Sequence, residues 1–423
     1  MHQGQWAVNQ LDWVQVSLDD LCLGAICKFD IRDQQGLLLL GKGLPLTQTI
    51  LDQVLNRGIS FLEVHPSDVD ALTGRIATQK AGKRPERKQS ERSHKSLFSK
   101  RVDRSREPYS SVRAERFAKQ VVAAVGVLAQ IGEQIQSLTQ PVVSELCDIP
   151  AQMTDMLLED PDQSIFAVGD SDDQRLLPQR CARMSLLAIN TGIEMELSDK
   201  EVMQLGTAAL LHDLGLYLMP AHFRDPTIEL TANEVWEYKR HPSLVVNAFA
   251  KLSIVSDEVR VIANQVHERL DGSGYPRGLH GNLIHPLASV LGLVDSYLTL
   301  IQPGPDRPAV VPHDAIGYLL FEVGRGLFDA AAMRAFLNQI AFFPIGSKVE
   351  LDNGQRATVI RRDGNHYTTP IVRIDGAHAT DGLSLRVSAR NIARPVVDEP
   401  GRQMRITKSM MPTLSMDMFQ PAS

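Results

Sequence analysis

The run Ala208-Ala209-Leu210-Leu211-His212-Asp213-Leu214-Gly215 sets a histidine and an aspartate side by side at the end of an apolar helical stretch. Burying such a pair without partners is costly. Metal coordination supplies them: the imidazole takes one ion and the carboxylate is able to bridge two. His-Asp alone is a common dipeptide and carries little. Three further residues give it meaning: His241 in Tyr238-Lys239-Arg240-His241-Pro242, His267 in Val266-His267-Glu268, and Asp295 in Leu293-Val294-Asp295-Ser296. From Asp213 onward the successive members are 26 to 28 residues apart. That is the length of one helical hairpin, so successive hairpins can aim all of them at one centre. Each alone reads more simply as a surface or satisfied core residue. Together they read as a site.

The chain around this constellation has 423 residues, which predicts two or three domains. Hydrophobic residues at 43% and charged residues at 22% are a globular balance that argues against disorder over most of the length. The apolar stretch around Val121 to Leu128 is broken by Gln130, Gly132 and Glu133, short of a bilayer span. Met1-His2-Gln3-Gly4 lacks the basic start of a secretion signal, so a soluble, cytoplasmic protein is expected. Four cysteines (Cys22, Cys27, Cys147, Cys181) are too scattered for a disulfide framework and are expected as ordinary thiols. The net charge of −6 hides an asymmetry, because Lys80 to Arg106 holds eleven Lys and Arg against three acids. The rest of the chain sums to a net charge of about −14, so a general nucleic-acid binder is not expected.

The pattern predicts a mainly α fold: a helical core with small β-rich modules at both ends. Residues 1–76 read as a small domain, with a strand at Leu37-Leu38-Leu39-Leu40, a helix over Thr47 to Asn56 and a strand over Ile59 to Val64. Residues 77–110 read as a basic flexible linker. The stretch 111–163 is a helical connector, with Phe117, Val121, Val125, Leu128, Ile131, Ile135 and Leu138 at helical spacing. Core packing is its simplest reading, and a homodimer seam is the alternative. The helical domain takes 164–343. A β module takes 344–397, where Asp352-Asn353-Gly354 and Asp363-Gly364 signal hairpins. Residues 398–423 read as a disordered tail.

The loop after His267 is the most specific stretch. Glu268-Arg269-Leu270-Asp271-Gly272-Ser273-Gly274-Tyr275-Pro276-Arg277-Gly278-Leu279-His280-Gly281, with the upstream His212-Asp213, resembles the signature of the HD-GYP family. The resemblance covers about residues 164–345, and Phe343-Pro344-Ile345-Gly346-Ser347-Lys348 is similar to the start of a module that often follows. It implies a helical, metal-dependent phosphodiesterase acting on cyclic di-GMP, in which iron or manganese ions activate the attacking water. It implies metal ligation by His212, Asp213, His241, His267 and Asp295, with one or two ions held and Asp213 catalytic. It further implies substrate contacts from Arg180, Arg269, Tyr275 and Arg307. A protein partner, such as a diguanylate cyclase domain, is expected at the Gly274-Tyr275-Pro276 loop.

The departures from the family pattern matter as much. A helix His is replaced by Arg180 and an earlier Glu by Leu176; Val266 stands where a second adjacent His is usual. Leu216 takes the place of a phosphate-contacting Lys, and Leu298 that of a second Asp. A guanidinium stays protonated and offers no lone pair to a metal. Arg180 either swings to solvent or partly replaces a metal, pairing with Asp213 or with a ligand phosphate. The expected function is a cyclic di-GMP phosphodiesterase impaired by missing ligands. The alternative is a catalytically inactive module that binds cyclic di-GMP or a protein.

Overall fold

The computed structural model describes residues 13–18, 29–32, 38–40, 54, 61–73, 96–105, 107–169, 176–249, 255–305, 307–363, 366–375, 384–387, 391–397, 401–407 and 410–411. The chain divides into two compact units, residues 1–93 with 277–279, and residues 94–276 with 280–423.

The first unit contains the strands β1 (Val14–Ser17), β2 (Ile31–Arg32), β3 (Leu38–Leu40) and β4 (Phe61–Val64), in the order β1-β4-β2-β3, and helix α1 (Pro66–Thr73). The described pairings are antiparallel. Val16, Ile31, Val54, Leu62, Val64 and Leu72 form its core. Asp68 is buried at the start of α1 and accepts the Phe29 amide at 2.9 Å. The helix expected over 47–56 lies outside the described residues except at Val54, as do Cys22 and Cys27.

The second unit is mainly helical, as the sequence predicts. It opens with α2 (Leu97–Lys100) and a 26-residue helix, α3 (Ser111–Gln136). The buried Phe117, Val121, Leu128, Ile131 and Ile135 make the stripe anticipated from their spacing. Leu138 leaves that stripe: it follows the helix end at φ 56° and is exposed. Helices α4 (Ile149–Glu159) and α5 (Pro161–Gly169) lead to α6 (Leu177–Glu194), which is buried along nearly its whole length and packs closely on α7 (Asp199–Leu211). Then come α8 (Ala232–Tyr238), α9 (His241–Phe249), α10 (Asp257–Asn264), α11 (Pro286–Leu300), α12 (Pro312–Gly324) and α13 (Ala330–Ile340). Capping boxes at Ser198/Glu201 and Thr231/Glu234 fix where α7 and α8 begin.

The C-terminal β module is a five-stranded antiparallel sheet in the order β10-β6-β7-β8-β9: β6 Lys348–Leu351, β7 Arg356–Asp363, β8 His366–Ile374, β9 Ser384–Arg386 and β10 Ile392–Pro395. Asp352-Asn353-Gly354 lies between β6 and β7, with Gly354 at φ +82°, where a side chain would be strained. Buried ion pairs bolt this sheet to the helices. Arg361 grips Asp160 through two parallel 2.9 Å bonds, Arg113 reaches the same carboxylate at 2.6 Å, and Arg362 bonds Asp162 at 2.6 Å.

Two expectations need correction. The basic strip is not linker throughout: Arg101 is half-buried and bonds Glu194 and, at 2.6 Å, Asn190 of α6. Residues 74–95 lie outside the described residues. The tail is not free from 398 onward either. β11 (Gln403–Met404) pairs in parallel with β5 (Ala309–Val310), and Arg405 and the Ile406 amide both bond Asp314, at 2.5 and 2.8 Å.

Candidate metal centre

The anticipated residues meet in the second unit, and most of them stand at helix ends. Arg180 is in the first turn of α6, His212 caps the C-terminus of α7, His241 opens α9 and His267 lies in the turn just past α10. Only Asp295 is in mid-helix, on α11. Two close approaches hold these ends together. A methyl group on Gly215 would come within 2.2 Å of the His241 carbonyl, and one on Gly274 within 2.4 Å of the His267 carbonyl. Glycine is what lets those backbones touch.

Three donors converge. His241 Nε2 lies 3.1 Å from His267 Nε2 and 3.2 Å from Asp213 Oδ1, and His267 Nε2 lies 3.7 Å from that same oxygen. Second contacts set the ring orientations. His241 Nδ1 faces the Tyr238 carbonyl at 2.8 Å, and His267 Nδ1 faces Asp295 Oδ2 at 3.2 Å. An N–H pointed each way leaves both Nε2 atoms as lone-pair donors. Two ring nitrogens facing each other across 3.1 Å can share a proton or a metal ion. Ligands about 2.1 Å from one metal stand about 3.0–3.4 Å apart around it, so this triangle fits a single ion. Asp213 Oδ1 is buried with no hydrogen-bond partner among the described residues, as expected of an oxygen reserved for one.

Across Asp213 lies a second donor group. His212 Nδ1 faces the Ala209 carbonyl at 2.8 Å, while its Nε2 is 3.1 Å from Asp213 Oδ2 and 3.8 Å from Asp295 Oδ1. That Nε2 is not aligned for a hydrogen bond and has no partner among the described residues. Against the same two carboxylates lies the Arg180 guanidinium. Nε reaches Asp213 Oδ2 at 3.4 Å and Nη2 bonds Asp295 Oδ1, while Thr299 Oγ1 at 3.0 Å and Gln302 Oε1 at 2.8 Å complete the cradle. Arg180 therefore turns inward and pairs with protein carboxylates.

The charges are mutually dependent. Burial opposes the His212 cation, but the Asp213 carboxylate beside it holds the imidazole well above its usual range. Burial likewise works against a charged His267, and Asp295 raises it. His241 is lowered, by burial and then by the neighbouring His267. Burial disfavours the Asp213 and Asp295 anions; His212 in one case, and Arg180 with His267 in the other, nevertheless hold them well below the usual carboxylate range.

The other anticipated contacts fall differently. Tyr275 stacks on His267 at 4.7 Å between ring centroids, beneath the Lys239 ammonium at 5.4 Å, so it covers the metal triangle. Arg269 is instead buried against the main chain, donating to the carbonyls of Val266 and Glu268 and to Ser296 Oγ. Arg307 donates to the carbonyls of Thr299 and Leu300 and so closes the end of α11. In both, the guanidinium is drawn to carbonyl oxygens that a helix end or loop leaves open. Leu216, Val266 and Leu298 are buried apolar residues, and Leu176 is exposed. Thr299, Gln302 and Lys239 were not anticipated. Thr299 had a signal, since it follows Asp295 by four residues on one helix face; Gln302 and Lys239 had none.

A family profile described as HD domain matches residues 171–332. The chain is 26% identical over 257 residues to the cyclic di-GMP phosphodiesterase PA4108 of Pseudomonas aeruginosa, covering 61% of this chain and 60% of that one. It is 33% identical over 183 residues to the cyclic di-GMP phosphodiesterase response regulator RpfG of Xanthomonas campestris pv. campestris, covering 43% of this chain and 47% of that one. The matches thus span about half to three fifths of those relatives' own length. Among solved structures, the HD-GYP-type protein Bd1817 of Bdellovibrio bacteriovorus overlays with a TM-score of 0.45 at 16% identity, covering 77% of this chain and 98% of that one.

Proposed function

We propose that this chain is a metal-dependent phosphodiesterase for cyclic di-GMP of HD-GYP type, working with one iron or manganese ion on Asp213, His241 and His267; the HD-domain match at residues 171–332 supports it. The observation that carries this reading is the triangle of Asp213 Oδ1 and the two imidazole Nε2 atoms, with separations of 3.1 to 3.7 Å. The substrate comes from the relatives, whose names state it.

An ion held there supplies Lewis-acid activation of water and neutralises charge on a phosphoryl oxygen. The chain's own residues do the rest. Asp213 offers one oxygen to that ion and the other to Arg180 and His212, so it fixes two centres of positive charge relative to each other. Asp295 orients the His267 ring through Nδ1. Tyr275 and Lys239 wall the site above His267. The pairing of Arg180 with both carboxylates favours slow turnover, because a fixed cation there repels a further ion. Carried to its limit, the same pairing supports a second reading, in which cyclic di-GMP binds without being cut.

The test is anaerobic purification of the full chain with iron or manganese supplied, followed by metal counting and cyclic di-GMP turnover on one sample. We expect about one ion per chain and slow release of linear dinucleotide, both lost in Asp213→Ala. Binding without product moves the assignment to the second reading. A chain that holds no metal and makes no product ends the phosphodiesterase reading.

A further inference from the structure

We infer that Arg180 is a built-in second cation: its guanidinium takes the place of an ion at the His212–Asp213–Asp295 donor group and limits the site to one metal. This rests on the reading of Asp213, His241 and His267 as the metal set, and extends it to how many ions the chain can hold.

The donor group itself is of metal-ligating kind. One imidazole nitrogen and two carboxylate oxygens lie within 3.8 Å along His212 Nε2–Asp213 Oδ2 and His212 Nε2–Asp295 Oδ1. The ring is fixed by a carbonyl at Nδ1, and Nε2 has no aligned hydrogen-bond partner among the described residues. A buried ring nitrogen without a partner is uncommon and asks for an explanation. What meets the two carboxylates is a guanidinium with four of its five N–H groups committed: one to Asp213, one to Asp295, one to Thr299 and one to Gln302. Burial disfavours its charge, but Asp295 and Asp213 raise its pKa and keep it protonated.

A guanidinium cannot ligate a metal and cannot shed its charge. A divalent ion drawn to His212 would have to sit beside that charge in a water-poor interior, where like charges repel strongly. It would also compete for oxygens already bonded. Asp213 and Asp295 together carry two negative charges, and the guanidinium already pairs with both carboxylates. Thr299 and Gln302 turn their side-chain oxygens to the guanidinium. Their place around Nη1 and Nη2 shows a pocket shaped for a planar, hydrogen-bonding cation.

The experiment compares wild type with Arg180→His, Arg180→Gln and Arg180→Lys, each stripped, reloaded with manganese, freed of excess and checked by circular dichroism. Bound manganese is counted, and the electron paramagnetic resonance spectrum reports whether two ions are coupled. We expect about one ion in wild type and in Arg180→Lys. Arg180→His should gain about one more, with a spin-coupled signal. Arg180→Gln removes the charge without adding a ligand, and should gain a weaker second ion that appears at higher manganese. The inference is overturned if every folded neutral variant keeps the wild-type count, or if Arg180→Lys gains as much as Arg180→His. The wild-type count by itself judges the underlying metal set: zero ions there rejects the triangle, whereas the difference between variant and wild type judges Arg180.

Discussion

His212 and His267 owe their raised pKa values to the Asp213 and Asp295 carboxylates beside them. A histidine whose folded pKa is raised contributes stability that is complete below its unfolded value, about 6.5, and is lost as pH climbs through the folded value. His241, lowered by burial, is neutral in both states above about pH 7 and adds no slope there. Chelator-treated protein should therefore melt at a lower temperature at pH 9 than at pH 7. Metal binding runs the other way, since the ligand nitrogens must give up protons, so manganese affinity should rise over the same interval. Melting curves with and without chelator check both signs, and a flat metal-free profile would reject the charge assignment at the two rings.

Among elements, the joint between the α4–α5 turn and β7 is the most exacting. Asp160 is fully buried and receives both Arg361 and Arg113. Removing one partner of a buried pair strands the others' charge, at a cost of about 3–5 kcal/mol. Asp160→Ala takes the shared carboxylate from two guanidinium groups and should lower the free energy of urea unfolding by about that much, whereas Glu115→Ala, an exposed partner in a surface pair, should change it by less than about 0.5 kcal/mol. Elements were also where the sequence was most readable. The stripe from Phe117 to Ile135 follows from spacing alone, because one face of a long helix must be apolar to be buried. Leu138 broke the pattern because the helix had already ended, in a left-handed residue that apolar spacing cannot signal. At the site, the meeting of Asp213, His241, His267 and Asp295 was legible because residue types able to ligate a metal are few and the separations repeat. The tasks of Arg269 and Arg307 were not, since an arginine turned to its own main chain reads the same in sequence as one awaiting a phosphate.

At the scale of the whole molecule, the ends of the second unit close on its body. The Arg101 side chain fastens its beginning to α6, and β11 with Arg405 fastens its far end to β5 and α12. Two residues of strand leave no alternation to read, which is why the tail looked unstructured in sequence. Truncation after Val397 leaves the buried Asp314 carboxylate without Arg405 and the Ile406 amide. The expected cost is about 1–3 kcal/mol, visible as a lower melting temperature with the metal count unchanged. A loss of bound metal on the same truncation would mean that the tail supports the site as well as the fold. The contact between Arg405 and Asp314 joins positions 91 residues apart. A ribosome making this chain finishes the helices long before it releases the segment that seals them. The domain must therefore wait, nearly complete, for residues 403–406, and a product cut short before them keeps that seam open to proteases.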